Sequence, residues 1–64
     1  MCQATVYLKD RKVMEDVISV EVVGDDVRLT TFLDEPRLVR ARIRYIDLLK
    51  HRVLLEAPTE VEDE

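Results

Sequence analysis

Apolar and polar residues alternate with a period of two along most of this chain, which directs it to β structure. Ala4, Val6 and Leu8 alternate with Thr5, Tyr7 and Lys9. Within a second run, about Val13 to Val23, Ile18, Val20 and Val22 alternate with Ser19 and Glu21. Val27, Leu29, Thr31 and Leu33 then alternate with Arg28, Thr30 and Phe32. Successive side chains of a strand point to opposite faces, so each run offers one apolar face to a core and one polar face to water. The most regular run sets Val39, Ala41, Ile43 and Tyr45 against Arg40, Arg42 and Arg44. Its phase slips at Tyr45-Ile46, which predicts a bulge or bend near Asp47.

Turn chemistry separates the runs. Asp10-Arg11-Lys12 is a polar turn, and Gly24-Asp25-Asp26, which holds the only glycine of the chain, is a hairpin signal. Pro36 ends the next run at Asp34-Glu35-Pro36, because proline cannot donate to a ladder. Leu48-Leu49-Lys50-His51 reads as a turn or a short helical turn, and Val53-Leu54-Leu55 as the last strand. The expectation is one all-β domain over residues 1–57: a small five-stranded antiparallel curled sheet or partly open barrel, which leaves few free edges. Residues 58–64 are acidic and non-periodic, and they are expected to form a disordered C-terminal tail.

At 64 residues the chain is small enough that self-association is a natural route to further burial. One cysteine cannot form a disulfide within the chain. No run of about 20 apolar residues and no apolar leader is present, so a reducing cytoplasm is the expected compartment. The formal charge of -4 is unevenly spread: residues 56–64 hold five acids and no base, and the other 55 hold nine acids and ten bases. The body is thus nearly neutral, which neither excludes nor favours nucleic acid.

Chemistry concentrates at the amino terminus. Cys2 is the only cysteine and sits beside Met1. Two readings stand. Cys2 shares parity with Ala4, Val6 and Leu8, so it can be a small core residue at the start of the first strand. It can equally be a metal ligand, since a thiolate suits soft or borderline metals and square-planar nitrogen and sulfur sites suit Ni(II) or Cu(II). Removal of Met1 would leave the amine and thiolate of Cys2 to close a five-membered chelate. With Met1 kept, its amine and the Cys2 amide can serve. A complete site then needs a second chain, water or His51. His51, the only histidine, lies in Lys50-His51-Arg52 and reads first as a solvent-exposed polar residue.

Arg40, Arg42 and Arg44 on one strand face read either as a solvated face balanced by carboxylates or as phosphate contacts on RNA. Tyr7, Phe32 and Tyr45 are the only aromatics for stacking bases, and Tyr45 shares parity with Ile43, away from the arginines. Enzyme chemistry is not expected: there is no Ser/His/Asp grouping, no glycine-rich phosphate loop and no carboxylate pair in an apolar setting.

Met1-Cys2-Gln3-Ala4-Thr5-Val6-Tyr7-Leu8, then Val13-Met14-Glu15-Asp16-Val17 and Val27-Arg28-Leu29-Thr30, resemble the CooT family of small proteins, as does Ile46-Asp47-Leu48-Leu49-Lys50-His51. The resemblance covers most of residues 1–57. It implies a cytoplasmic nickel-binding homodimer with a small β fold, linked to nickel delivery for carbon monoxide dehydrogenase. The family's nickel-binding cysteine falls on Cys2. The wider family also carries a predicted RNA-binding label. The chain lacks a histidine-rich tail, so the resemblance fits a one-site carrier and not a store. The leading expectation is about one Ni(II) per dimer, held by Cys2 of both chains with Met1 or other terminal nitrogen. Carbon monoxide dehydrogenase or its maturation proteins are the expected partners, and nucleic acid is not. The alternative is a small RNA-binding β domain using Arg40, Arg42 and Arg44.

Overall fold

The computed structural model describes residues 3–57, and every regular element among them is a strand. The strands are β1 (Ala4–Leu8), β2 (Arg11–Val23), β3 (Asp26–Thr31), β4 (Arg37–Val39), β5 (Arg42–Asp47) and β6 (Arg52–Glu56). They form one sheet in the order β4-β3-β2-β1-β6-β5. All neighbours are antiparallel except β1 and β6, which are parallel.

Six strands replace the expected five, and the antiparallel expectation fails at one pair. Both departures have one cause. The regular run through Val39, Ala41 and Ile43 does not stay in one ladder. Its first part, β4, pairs with β3 at one edge of the sheet. Its second part, β5, pairs with β6 at the other edge. The run continues through Arg40 and Ala41 without a hairpin. The chain therefore makes five up-and-down passes, and the first and last of an odd number run the same way. Curling the sheet brings β1 beside β6 in that shared direction. The two edges are joined by covalent chain, with no ladder closing the barrel between them.

That curl requires β2 to bend, because its first half pairs with β1 and its second half with β3. Three register shifts supply the bend. Val6 pairs with Met14 and Tyr7 with Lys12, so Val13 is extra. Ala4 pairs with Val17, so Glu15-Asp16 carries a second extra residue, with Asp16 at φ 58°. Val17 pairs with Thr31 and Ser19 with Thr30, so Ile18 is extra as well. Each extra residue kinks the strand and strengthens its twist. The shift at Val13 also puts Lys12 and Glu15 on one face, where an unbroken strand would separate them. Their side chains pair at 2.7 Å, which holds the Glu15 carboxyl below and the Lys12 ammonium above their ordinary ranges.

The core is small and wholly apolar: Val6, Val17, Val27, Leu29, Ala41, Val53 and Leu55. Val17 is only 3% exposed, so it and not Ile18 is the central core residue of β2. The bulge at Ile18 then returns Val20 to the inner side, where it packs against the core. Ala41 is buried where the chain passes between the two sheet edges. A small residue suits the close approach of β5 to β3 there.

The turn at Gly24-Asp25 follows the sequence reading, whereas the third strand, expected to run through Leu33 to a turn at Asp34-Glu35-Pro36, ends at Thr31. Gly24 adopts φ 60°, a left-handed value that hairpin turns demand and glycine meets without strain. The Thr31 hydroxyl accepts the Asp34 N–H at 3.1 Å. The first turn sits at Lys9-Asp10, one residue earlier than expected, because Lys9 takes φ 58° and Arg11 already belongs to β2. The expected tail, residues 58–64, lies outside the described residues.

Two stability outcomes follow from this core. Leu29→Ala should cost about 2–5 kcal/mol in urea unfolding, since Leu29 is fully buried. Ala41→Leu should cost about 1–3 kcal/mol by overpacking the junction, whereas Leu33→Ala, on an exposed side chain, should stay within about 0.5 kcal/mol.

Candidate metal centre

The parallel pair of β1 and β6 decides what lies near the amino terminus. Thr5 is opposite Arg52, and the Thr5 N–H donates to the His51 carbonyl at 2.9 Å. The chain therefore enters β1 at the end of the sheet where the 48–51 turn leads into β6. Gln3, the residue bonded to Cys2, lines an apolar cavity of about 240 Å³ there, together with Asp47 and His51. Ala4, Val17, Ile18, Val20, Ile46 and Val53 supply its apolar wall.

The turn beside this cavity is fixed at both ends. The Asp47 Oδ1 accepts the Lys50 N–H at 3.1 Å, an Asx-type closure. His51 takes φ 56°, a left-handed value that is uncommon for a residue with a Cβ, and it reverses the chain into β6. His51 is exposed, as the sequence reading expected. Leu48 and Leu49 at the tip are 79% and 90% exposed.

Met1 and Cys2, the expected metal ligands, lie outside the described residues. Among the described residues, no group of three or more His, Cys, Asp or Glu side chains is placed to hold a metal ion. Ser19, Asp47 and His51 are among the polar residues that line the cavity with Gln3, and one Asp47 carboxylate oxygen already accepts the Lys50 N–H.

The three arginines do not form the single stripe that their spacing predicts. Arg40 falls between β4 and β5, with its Nε 3.8 Å from the Asp26 carboxylate. Arg42 stands opposite Glu56 in the β5–β6 ladder. Arg44 is the extra residue where Ile43 pairs with Leu55 and Tyr45 with Leu54. The bulge thus comes at Arg44, three residues before Asp47, and it reverses the parity of Tyr45. Ile43 faces the core with Leu55, whereas Tyr45 shares the outer face with Leu54 and is exposed. On that face Tyr7 lies opposite Leu54, and the Arg52 guanidinium sits 5.9 Å from the Tyr7 ring centroid.

The turn at Leu48-Leu49-Lys50-His51 is where the sequence reading put it, whereas the cavity beside it was not expected. A signal was present: two consecutive leucines in a turn cannot both use one sheet face.

The sequence matches the family described as CO dehydrogenase accessory protein CooT over residues 1–56. It is 39% identical over 57 residues to an uncharacterized protein of Methanothermobacter thermautotrophicus, covering 88% of this chain and 89% of that one. An uncharacterized protein of Archaeoglobus fulgidus is 40% identical over 43 residues, 67% of this chain and 96% of the other. The fold is similar to the crystal structure of a protein assigned as CooT from Carboxydothermus hydrogenoformans, with a TM-score of 0.78. That alignment covers 88% of this chain and 97% of the other at 22% identity, so it speaks for the fold alone. The family match takes in Cys2 together with all six strands, and the chain belongs to the CooT family of CO dehydrogenase accessory proteins.

Proposed function

We infer that the protein is a cytoplasmic nickel carrier that serves carbon monoxide dehydrogenase maturation, with one Ni(II) shared by a homodimer through Cys2 of both chains. Nickel is its cargo, and its role is accessory and not catalytic. The observation that carries the reading is the position of the only cysteine. Cys2 falls inside the family match and is bonded to Gln3, which lines the cavity.

The donor chemistry fits this reading. Deprotonated thiolate and terminal nitrogen suit a four-coordinate Ni(II) site. One chain brings one thiol, so a site with two thiolates takes two chains. Met1 or the terminal amine supplies nitrogen. Copper would compete on raw affinity, so selectivity rests on site geometry and on the metal the cell makes available. The RNA alternative loses support, because Arg40, Arg42 and Arg44 are divided among a linker, a ladder opposite Glu56 and a bulge.

Replacing Cys2 by Ser should weaken Ni(II) binding by more than about 100-fold, beyond the loss of an outer-shell partner, because the hydroxyl stays protonated. Thiolate-to-nickel absorption should vanish with it, while the β circular-dichroism spectrum is kept. Equal binding by both forms would sink the reading. For the native chain, affinity should fall about tenfold per pH unit for each thiol that must ionise, below a thiol pKa of about 8.5. A pH series of nickel titrations checks this, and a flat profile contradicts thiolate ligation.

A further inference from the structure

The outer face of β1 and β6 carries a groove that neither the core nor the nickel reading uses. Its volume is about 320 Å³, and Tyr7, Lys9, Asp10, Arg52 and Leu54 line it. Tyr7 and Leu54 stand opposite each other in the parallel ladder and form its apolar middle. Lys9 marks one end, where its N–H donates to the Leu55 carbonyl at 3.3 Å. Arg52 marks the other, opposite Thr5, and its guanidinium reaches over the Tyr7 ring at 5.9 Å from the centroid. The groove is thus a short apolar floor with a cation toward each end, and Asp10 is the one carboxylate among these lining residues.

The chain holds a segment with the matching pattern. β6 ends at Glu56, one residue past the Leu55 carbonyl that Lys9 bonds, so residues 58–64 start out from the Lys9 end of the groove. Their sequence sets Val61 between Glu60 on one side and Glu62, Asp63 and Glu64 on the other, with no base. We propose that residues 60–64 fold back over the outer face and occupy this groove in the same chain, with Val61 against Tyr7 and Leu54, Glu60 toward Lys9, and Asp63 and Glu64 toward Arg52.

Spacing favours this occupant. From Lys9 to Thr5, which stands opposite Arg52, β1 covers four residues, about 13 Å. Glu60 and Glu64 are also four residues apart and span about 13 Å when extended. Pro58 and Thr59 suit the reversal, because the fixed φ of proline fits the second position of a β-turn. Charge favours it as well. Residues 1–57 hold ten acids and ten bases, so the whole net charge of -4 belongs to residues 58–64. Exposed ion pairs are individually weak. The short tether offsets this, since it keeps the acids beside the groove at an effective concentration that a separate peptide reaches only in the millimolar range. The segment then screens this face: an anionic partner has to displace it before reaching Tyr7 and Arg52. Nothing in the contact requires nickel or a second chain.

NMR spectroscopy of the full isotope-labelled chain tests this, for the wild type, Val61→Ser, Glu60→Lys/Asp63→Lys/Glu64→Lys and Arg52→Glu. The wild type should give cross-peaks between the Val61 methyls and the Tyr7 ring, with the methyls moved upfield by the ring. Both signals should diminish as NaCl rises from about 0.01 M to 1 M, which shortens the screening length from about 30 Å to about 3 Å. Val61→Ser and the triple variant should each shift the Tyr7 and Arg52 side-chain signals while leaving those of the core residues Val6, Leu29 and Leu55 in place. Arg52→Glu should remove the cross-peaks, and adding the three lysine substitutions to it should restore them. Val61 methyls at random-coil positions without a cross-peak to Tyr7 overturn the contact, as do unchanged Tyr7 and Arg52 signals in the triple variant. Cross-peaks that arise only between labelled and unlabelled chains of a mixed sample overturn docking within one chain.

Discussion

The fold depends on the bend in β2. One strand of thirteen residues has to serve as partner to β1 along its first half and to β3 along its second. An unbroken strand of that length would hold the two halves of the sheet nearly flat, and no core could form between them. The extra residues at Val13, Glu15-Asp16 and Ile18 turn the strand through the region of Val17. Val17 thereby reaches the centre of a core that holds no polar side chain. The rest is a consequence: the edges approach, Arg40 and Ala41 span them, and the first and last strands meet in parallel.

That parallel pair connects fold to function. It puts the entry of the chain beside the 48–51 turn and pins the two with a hydrogen bond from Thr5 to His51. Gln3, the first described residue, therefore lines the apolar cavity beside that turn. The same turn projects two leucines. On the proposed reading, a carrier has to hold a metal firmly and still release it, and a site shared between two small copies would offer both through the strength of their association. Binding that needs two chains also couples metal affinity to dimer affinity, because a ligand that binds only the dimer favours it by mass action.

Much of this was legible in the sequence, and the exceptions have physical reasons. The alternation at Val27, Leu29 and Thr31 and the glycine turn at Gly24 translated directly into β3 and its hairpin. The passage of one alternating run from edge to edge was not legible, because Val39, Ala41 and Ile43 keep their parity through it. Local pattern reports which face a side chain uses and not which strand lies beside it. The bulge at Arg44 was similarly hidden: parity placed Tyr45 with Ile43, and only the pairing of Tyr45 with Leu54 reverses it. The cysteine was readable at the start of the chain, and the family resemblance from residues 1–8 together with 13–17, 27–30 and 46–51. The cavity beside Gln3 was not, since it is built by Val17, Ile46 and His51 from three distant stretches of chain.

The central claim is that one nickel ion is shared between two chains through Cys2. Native mass spectrometry of the full chain with Ni(II), run beside the Cys2→Ser form, tests it most directly. The account predicts a two-chain species carrying one nickel, with loss of the nickel and not of the second chain when Cys2 is replaced. Nickel carried by a single chain, or carried undiminished by the serine form, would contradict it.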